Sequence, residues 1–367
     1  MKIFIGEYIC GGGLRTLSPS EIQPSLLREG RAMLSALIED VSQFAEVTTV
    51  VDSAAFDETS SPLHGHLSAL HPHRINQYPC VSIDSEAELI RQWGRVARSC
   101  DFSLVIAPET DATLLRIVSS FRDNDIEVVA PSNQFIKAAS DKRQTAKHFH
   151  ESSVPHPFTT WLRDTPNDTV KHLATEREPE PNHQSRSYLI KPYDGCGSQG
   201  IQCFDAYPDA LNDLDRDQVL QEKVVGQNVS VAVISNDQQT HVLPAVSQRL
   251  KTGTFEYLGG EGPLGKALQV RARDLALQAL DAMPKGRRGF VGLDLILGDA
   301  QEDDYVIEIN PRVTTSYVGL RKIIKGNLAA SLFDLEFGST ICREQEPLVC
   351  WNADGSLALP SNADRTS

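Results

Sequence analysis

Three oxygen-bearing side chains near the C-terminal end carry the strongest chemical signal in this chain. They lie in the segment GFVGLDLILGDAQEDDYVIEINPR, residues 289–312. Asp294 interrupts an otherwise apolar, alternating run, and an isolated buried acid is expensive. Glu308 and Asn310 end the next predicted strand, two residues apart and therefore on one face. If the two strands pair across the acidic turn, all three side chains converge with no cysteine or histidine among them. Such a set suits Mg2+, with Mn2+ as an alternative, holding substrate phosphates at the same time. Arg312 follows directly, and its guanidinium fork suits bidentate contact with a phosphate. The plainer alternative is a hairpin flanked by solvated acids.

Two further segments add to this. Lys191 ends a predicted strand and is followed by Pro192 and the loop Tyr193-Asp194-Gly195-Cys196-Gly197-Ser198-Gln199-Gly200. Gly195, Gly197 and Gly200 allow backbone amides to approach a phosphate closely, with Ser198 among them. No Gly-Lys-Ser/Thr closes the loop, so it is not a Walker A motif. Taken alone, a surface turn fits it equally well. Gln221-Glu222-Lys223-Val224-Val225-Gly226 reads as a strand end and a glycine turn. Exposed backbone there suits an adenine edge, with Glu222 accepting from the amino group, although Glu-Lys pairs are common on strands.

The elements that must position these residues fall into blocks. The 367 residues suggest two or three domains. Strands at Lys2–Ile5, Val47–Val51, Phe102–Ala107 and Glu127–Ala130 alternate with helices at Leu26–Val41, Glu86–Ser99 and Thr113–Arg122. That order indicates a small α/β domain with a parallel sheet, whose ligand edge lies near Glu7 and Pro108-Glu109. Between Val51 and Pro79 the Ser-, His- and Pro-rich composition reads as loop. Its His64, His66, His71 and His73 form a metal tract or, more plainly, a solvated loop without ordered acidic partners. Asn133 to His150 reads as one helix or two, and the proline-rich stretch 164–187 carries a short helix near Thr169–Ala174. Strands follow at Tyr188–Lys191, Val219–Val225, Val229–Ile234 and Leu243–Ser247, then a long helix at Leu264–Met283. Phe290–Leu297 and Tyr305–Ile309 form the antiparallel pair, Asn327–Phe333 opens a last helix, and Asn352–Ser367 reads as a frayed polar end. The expected divisions are 1–132, 133–222, 223–345 and 346–367.

Composition excludes several functions. Lys plus Arg number 35 against 49 Asp plus Glu, a net charge of −14, which gives no support for a nucleic-acid partner. A hydrophobic share of 40% allows a sizeable core. The seven cysteines show no metal or redox spacing, which fits reduced thiols in the cytoplasm. No stretch is long and apolar enough to span a bilayer, and the first residues are too short and polar for a signal peptide, so no membrane partner is expected.

The motifs, in this order, resemble those of the ATP-grasp superfamily. The resemblance rests on Ser140-Asp141-Lys142, Lys191-Pro192, the glycine-rich loop, Glu222-Lys223-Val224-Val225-Gly226, Gly292-Leu293-Asp294 and Glu308-Ile309-Asn310-Pro311-Arg312, and it covers residues 133–335. It implies an α/β and α+β architecture, an ATP-grasp fold preceded by a small parallel-sheet pre-ATP-grasp domain. It implies that Lys142 and Lys191 hold ATP phosphates and that Glu222, Lys223 and Val225 contact adenine. Asn228 or Gln227 stands where an acid usually binds the ribose. Asp294, Glu308 and Asn310 match magnesium ligands, and Arg312 matches a residue that steadies the transferred phosphoryl group, so Lys191 and Arg312 are the catalytic candidates. The implied reaction phosphorylates a carboxylate with ATP and passes the acyl group to an amine.

A narrower likeness rests on Ile5-Gly6-Glu7-Tyr8-Ile9-Cys10-Gly11-Gly12-Gly13 together with the Ser-Asp-Lys and Lys-Pro order. It resembles the tyramine–L-glutamate ligase group of methanofuran-type cofactor biosynthesis. That likeness implies L-glutamate and an amine as substrates, with Glu7, Tyr8 and Gly12 lining the cleft and Arg249 or Lys251 pairing with an α-carboxylate. Arg288 is a weaker candidate. Relatives of this kind are often dimers, so a homodimer is expected. The alternatives are a ligase for another amino acid or small carboxylate, a biotin-dependent carboxylase and a non-catalytic ATP-binding protein. The second lacks an attachment domain here, and the third should have lost its metal ligands.

Overall fold

The computed structural model describes residues 1–16, 24–52, 55, 74–80, 83, 85–162, 173–175, 186–195, 197, 200–207, 213–236, 238–333 and 348–359. The first sheet is parallel, with β1 (Lys2–Glu7), β2 (Glu46–Val51), β3 (Ile75–Pro79) and β4 (Phe102–Ile106) in the order β3-β2-β1-β4. Alternation along β1 sends Ile3 and Ile5 to one face and Phe4 to the other. Ile3 and Ile5 meet Leu34, Leu37 and Ile38 of α1 (Pro24–Val41). Phe4 meets Trp93 of α2 (Glu86–Ala97) and Phe121 of α3 (Thr113–Asp123), with ring centroids 5.7 and 6.0 Å away. Helices on both faces bury the strands, as parallel sheets require.

Helices α4 (Asn133–Ala139) and α5 (Lys142–Glu151) lead into a five-stranded antiparallel sheet. It contains β5 (Thr159–Leu162), β6 (Leu173–Thr175), β7 (Tyr188–Pro192), β8 (Gln202–Phe204) and β9 (Gln218–Glu222), in the order β6-β5-β9-β7-β8. The largest sheet holds β10 (Gln227–Ser235), β11 (Thr240–Val242), β12 (Val246–Leu250), β13 (Tyr257–Gly262), β14 (Gly289–Leu297), β15 (Tyr305–Asn310), β16 (Val349–Asn352) and β17 (Leu357–Ala358). Val229, Val231 and Val233 of β10 face α6 (Lys266–Ala282), while Ala232 and Ile234 join the core shared with α1, α7 (Ser316–Ile323) and α8 (Leu328–Leu332). Asn228 and Ser230, on the side opposite the valines, are left to face a cleft.

Several expectations needed correction. β3 replaces the end of the predicted loop; Ile-Asn-Gln-Tyr-Pro is polar and largely exposed, an edge strand with no hydrophobic alternation to announce it. Residues 127–130 make only one parallel bridge, Ser103 to Val128. Leu173–Thr175 is strand where a helix over Thr169–Ala174 was expected, and the rest of that helix, like the four loop histidines, lies outside the described residues. The expected polar end supplies β16 and β17, and Trp351 is buried against the core. β5, β8, β13 and α7 had no sequence expectation.

Candidate functional site

The three sheets enclose a cleft of about 1050 Å3. That is at the upper end of the roughly 300–1,000 Å3 usual for small-molecule sites, room for more than one ligand. Its deep end is built by the β14–β15 hairpin. The register pairs Asp294 with Glu308 and Gly292 with Asn310, and Asp294 with Ser230 on the other side. Leu293 and Leu295 face α6, so alternation turns Asp294 to the cleft. Asn310 Nδ2 donates to Asp294 Oδ2 at 3.0 Å, and Gln248 Nε2 donates to Asp294 Oδ1 at 2.8 Å.

Two lysines reach the same acids from the other sheet. Lys191, at the end of β7, is buried beside Lys142, Glu308 and Asp294. Lys142 opens α5, whose N-cap Asp141 accepts from the Arg143 amide at 2.8 Å. The Lys142 amide donates to Tyr193 O at 2.9 Å and its Nζ to Gly195 O at 2.7 Å, clipping the start of the glycine loop to the helix. Nζ also stands 3.5 Å from Glu308 Oε2. Gly197 and Gly200 have φ of +62° and +67°, left-handed conformations that glycine adopts without a Cβ penalty.

The electrostatics follow from this geometry. Burial lowers Lys191 to about 8, and the like charge of Lys142 adds to that, against the pull of Glu308 and Asp294. Burial opposes ionisation of Glu308, but the ammonium groups of Lys142 and Lys191 outweigh it and hold the carboxyl below its usual value. Asp294 moves the other way, raised by burial and then by the charge of Glu308. A divalent cation placed there would reverse the penalty on Asp294. Two carboxylates and the Asn310 carbonyl are hard oxygen donors of the kind Mg2+ takes, so the residues present fit that ion. Among the described residues no group of three His, Cys, Asp or Glu gathers elsewhere as a competing metal site.

Arg312 lies at this end too, with its Nε and Nη2 at 2.9 and 3.0 Å from the two Glu109 oxygens. That ion pair, with its hydrogen bond from Nη2 to Oε2, joins the edge of the first sheet to the β15 end. Toward the mouth, Glu222, Lys223, Val225 and Asn228 line the cleft. Arg186 holds the Glu222 carboxylate, and Lys223 Nζ sits 5.9 Å from the Phe255 ring. Glu7, Tyr8 and Lys251 line it as well.

Some expected residues are elsewhere. Arg249 alternates away from its neighbours Gln248 and Leu250, and its Nη2 donates to Trp351 O at 2.7 Å and Asn352 Oδ1 at 3.2 Å. It ties β12 to β16 and does not line the cleft. Gly12 packs against Cys80, Ile83 and Leu89 behind the cleft wall, and Gly200 leans on Pro192. Arg288 pairs with Glu127. Ser198 lies outside the described residues. Sequence reasoning missed Gln248, Tyr257 and Glu29, which all line the cleft. Alternation around Asp294's partner strands could have found the first; the Glu29-Gly30 step inside a helical pattern marks a close approach that could have found the last.

The ATP-grasp domain family model matches residues 139–316, and the pre ATP-grasp 3 domain model matches residues 58–134. The fold resembles an ATP-grasp superfamily protein from Archaeoglobus fulgidus with a TM-score of 0.66 at 20% identity, covering 96% of this chain and 92% of that one. The chain belongs to the ATP-grasp superfamily. An L-amino acid ligase from Bacillus licheniformis shares the fold with a TM-score of 0.61 at 13% identity, covering 93% and 77% of the two chains. By sequence, the chain is similar to tyramine–L-glutamate ligases of Methanocaldococcus fervens, 24% identical over 298 residues (81% of this chain, 84% of the relative). The Methanocaldococcus jannaschii enzyme of the same name is 25% identical over 299 residues (81% and 80%). This ATP-grasp protein is an ATP-dependent ligase, of the class that forms amide bonds through an acyl phosphate. No helix among its described residues is long and apolar enough to cross a membrane.

Proposed function

We propose that this ligase joins L-glutamate, through its γ-carboxylate, to tyramine or a related primary amine, in the assembly of a methanofuran-type cofactor. The observation that carries the reading is the convergence of Lys142, Lys191, Asp294, Glu308, Asn310 and Arg312 in a cleft that Glu7, Tyr8 and Lys251 also line. Similarity to two ligases with those substrates across 81% of the chain supports the choice of substrates.

In this reading Lys142 and Lys191 bind the ATP phosphates, and Glu222, Lys223, Val225 and Asn228 hold the nucleoside. Asp294, Glu308 and Asn310 hold Mg2+, which supplies neutralisation of phosphate charge. Arg312, oriented by Glu109, steadies the phosphoryl group as the substrate carboxylate attacks it. Pre-placed cations are effective because charge spreads over the phosphoryl oxygens in the transition state. The glycine loop, anchored by Lys142, covers the acyl phosphate and keeps water from it. No protein nucleophile is needed. Arg249 takes no part, which leaves Lys251 as the partner for the α-carboxylate.

Incubating the protein with ATP, Mg2+, L-glutamate and an amine panel headed by tyramine tests this. Phosphate release that needs both glutamate and amine, with an amide of the summed mass less water, is expected. ATP binding without turnover of any pair rejects the substrates, and a wider carboxylate screen then applies.

A further inference from the structure

Helix α1 presents Leu26, Glu29, Gly30 and Met33 to the cleft, a stripe at three- and four-residue spacing. Glu29 is the one charged member of that stripe. The helix sits very close to the end of β1: a Cβ on Gly30 would lie 2.7 Å from Glu7 Oε2. Glu29 is thereby held beside the cleft rather than in bulk water. Every nearby cation is otherwise engaged. Arg28 Nη2 lies 3.0 Å from Glu256 Oε1, Lys251 Nζ lies 3.7 Å from Glu256 Oε2, and Arg312 grips Glu109. Among the described residues Glu29 makes no ion pair. The groups around it are Arg28 of its own helix, Glu256 and Tyr257 at the start of β13, Arg312 beyond β15 and Glu7 of β1. Burial raises its carboxyl to about 7, with Arg28 and Arg312 drawing it down and Glu256 pushing it up. A half-buried carboxylate without a partner either takes up a proton or pairs with a cation brought to it, and a position on the cleft wall opens the second course to a ligand.

We infer that Glu29 is the amine-recognition carboxylate of this ligase, pairing with the ammonium group of the incoming primary amine and accepting a proton from it. The inference rests on the ligase reading above and deepens it. The amine arrives as R–NH3+. Glu29 takes one proton, and the freed lone pair forms the bond from nitrogen to the acyl carbon. The carbon–oxygen bond to phosphate breaks with its electron pair. A second proton leaves the nitrogen for the departing phosphate, giving the amide and hydrogen phosphate. Protonated Glu29 then returns its proton to solvent.

The test uses the full chain with Glu29→Gln and Glu29→Asp. Hydroxylamine is uncharged near neutral pH and traps an acyl phosphate without needing a cation site. Wild type should form glutamyl hydroxamate, and failure there would sink the glutamate reading itself. E29Q should lose far more tyramine turnover than hydroxamate formation, and equal losses of the two would overturn the role proposed for Glu29. Tyramine is titrated calorimetrically with Mg2+ and a non-hydrolysable ATP analogue present, a readout independent of turnover. Its affinity should fall at least about tenfold in E29Q, the scale of a hydrogen bond to a charged group, and recover in part in E29D. Wild-type affinity should also weaken between pH 8 and pH 6 as Glu29 protonates, whereas E29Q should show no such dependence, which separates Glu29 from Glu7. Equal affinity in wild type and E29Q, no tyramine binding by wild type, or an unaltered pH dependence in E29Q overturns the inference.

Discussion

Lys191 ties ATP binding at the site to pH. Its ammonium is lowered to about 8 by burial and by Lys142, so the free site carries that charge below about pH 8 and loses it above. ATP phosphates favour the charged form. ATP affinity is therefore expected to fall as pH rises through about 8, with proton uptake on binding there, measurable by calorimetry in two buffers of different ionisation enthalpy. Lys191→Met should bind ATP more weakly at pH 7 and take up no proton. Glu308→Gln probes the opposing charge. It removes one of two carboxylates and strips Lys142 of its 3.5 Å partner, so kcat should drop by at least about 100-fold while the Mg2+ requirement rises. An E308Q enzyme with near-normal kcat and Mg2+ dependence would remove Glu308 from the metal site.

At the scale of elements, β16 shows what the sequence left unread. Asp294, Glu308 and Asn310 were legible because alternation and strand pairing are short-range rules, and the observed register brings them together. α1, α2, α3 and β14 were legible for the same reason. The Arg312–Glu109 pair spans residues more than 200 apart in the chain, and no local pattern announces which fork a carboxylate will meet. Val-Cys-Trp-Asn is too short for periodicity to identify, and only tertiary contact reveals that Trp351 is 1% exposed against α7 and β13. Arg249 lies beyond the predicted strand Leu243–Ser247, whereas β12 runs on to Leu250 and gives the cleft side to Gln248 and Leu250. Trp351 also donates from Nε1 to Tyr257 Oη at 2.9 Å, so β16 props a residue of the cleft wall. Trp351→Ala should cost about 3–5 kcal/mol of stability, whereas Trp351→Phe keeps most of the buried ring and loses a hydrogen bond of about 1 kcal/mol. Urea unfolding midpoints at constant m-value measure both. Similar losses for the two variants would mean that the hydrogen bond, not the burial, secures the strand.

At the scale of the whole molecule, the site exists only if the first sheet keeps its place against the large one, because each supplies part of the cleft. Apolar contact between α1, α7 and α8 provides adhesion but little orientation. Orientation comes from Asp40, near the end of α1 and buried at the interface. Its Oδ2 accepts from Tyr317 Oη at 2.6 Å and from Arg321 Nε at 2.8 Å, Arg321 Nη2 reaches its Oδ1, and Arg321 Nη1 lies 3.0 Å from Glu39. Removing one member of a buried charged set strands the others, so Asp40→Ala should destabilise by about 3–5 kcal/mol. Replacing the three most buried members, Asp40, Tyr317 and Arg321, with apolar groups of similar volume removes the desolvation penalty with the attraction, and leaves the more exposed Glu39 to water. The triple variant D40L/Y317F/R321M is expected to recover most of that loss in thermal or urea unfolding. Its ligase rate separates two roles for the network. A stable triple variant with wild-type turnover shows that packing alone aligns the sheets. Stability restored while kcat stays several-fold low, with ATP affinity intact, shows that the fixed geometry around Asp40 sets the alignment of Glu109 with Arg312, and through it the phosphoryl end of the cleft.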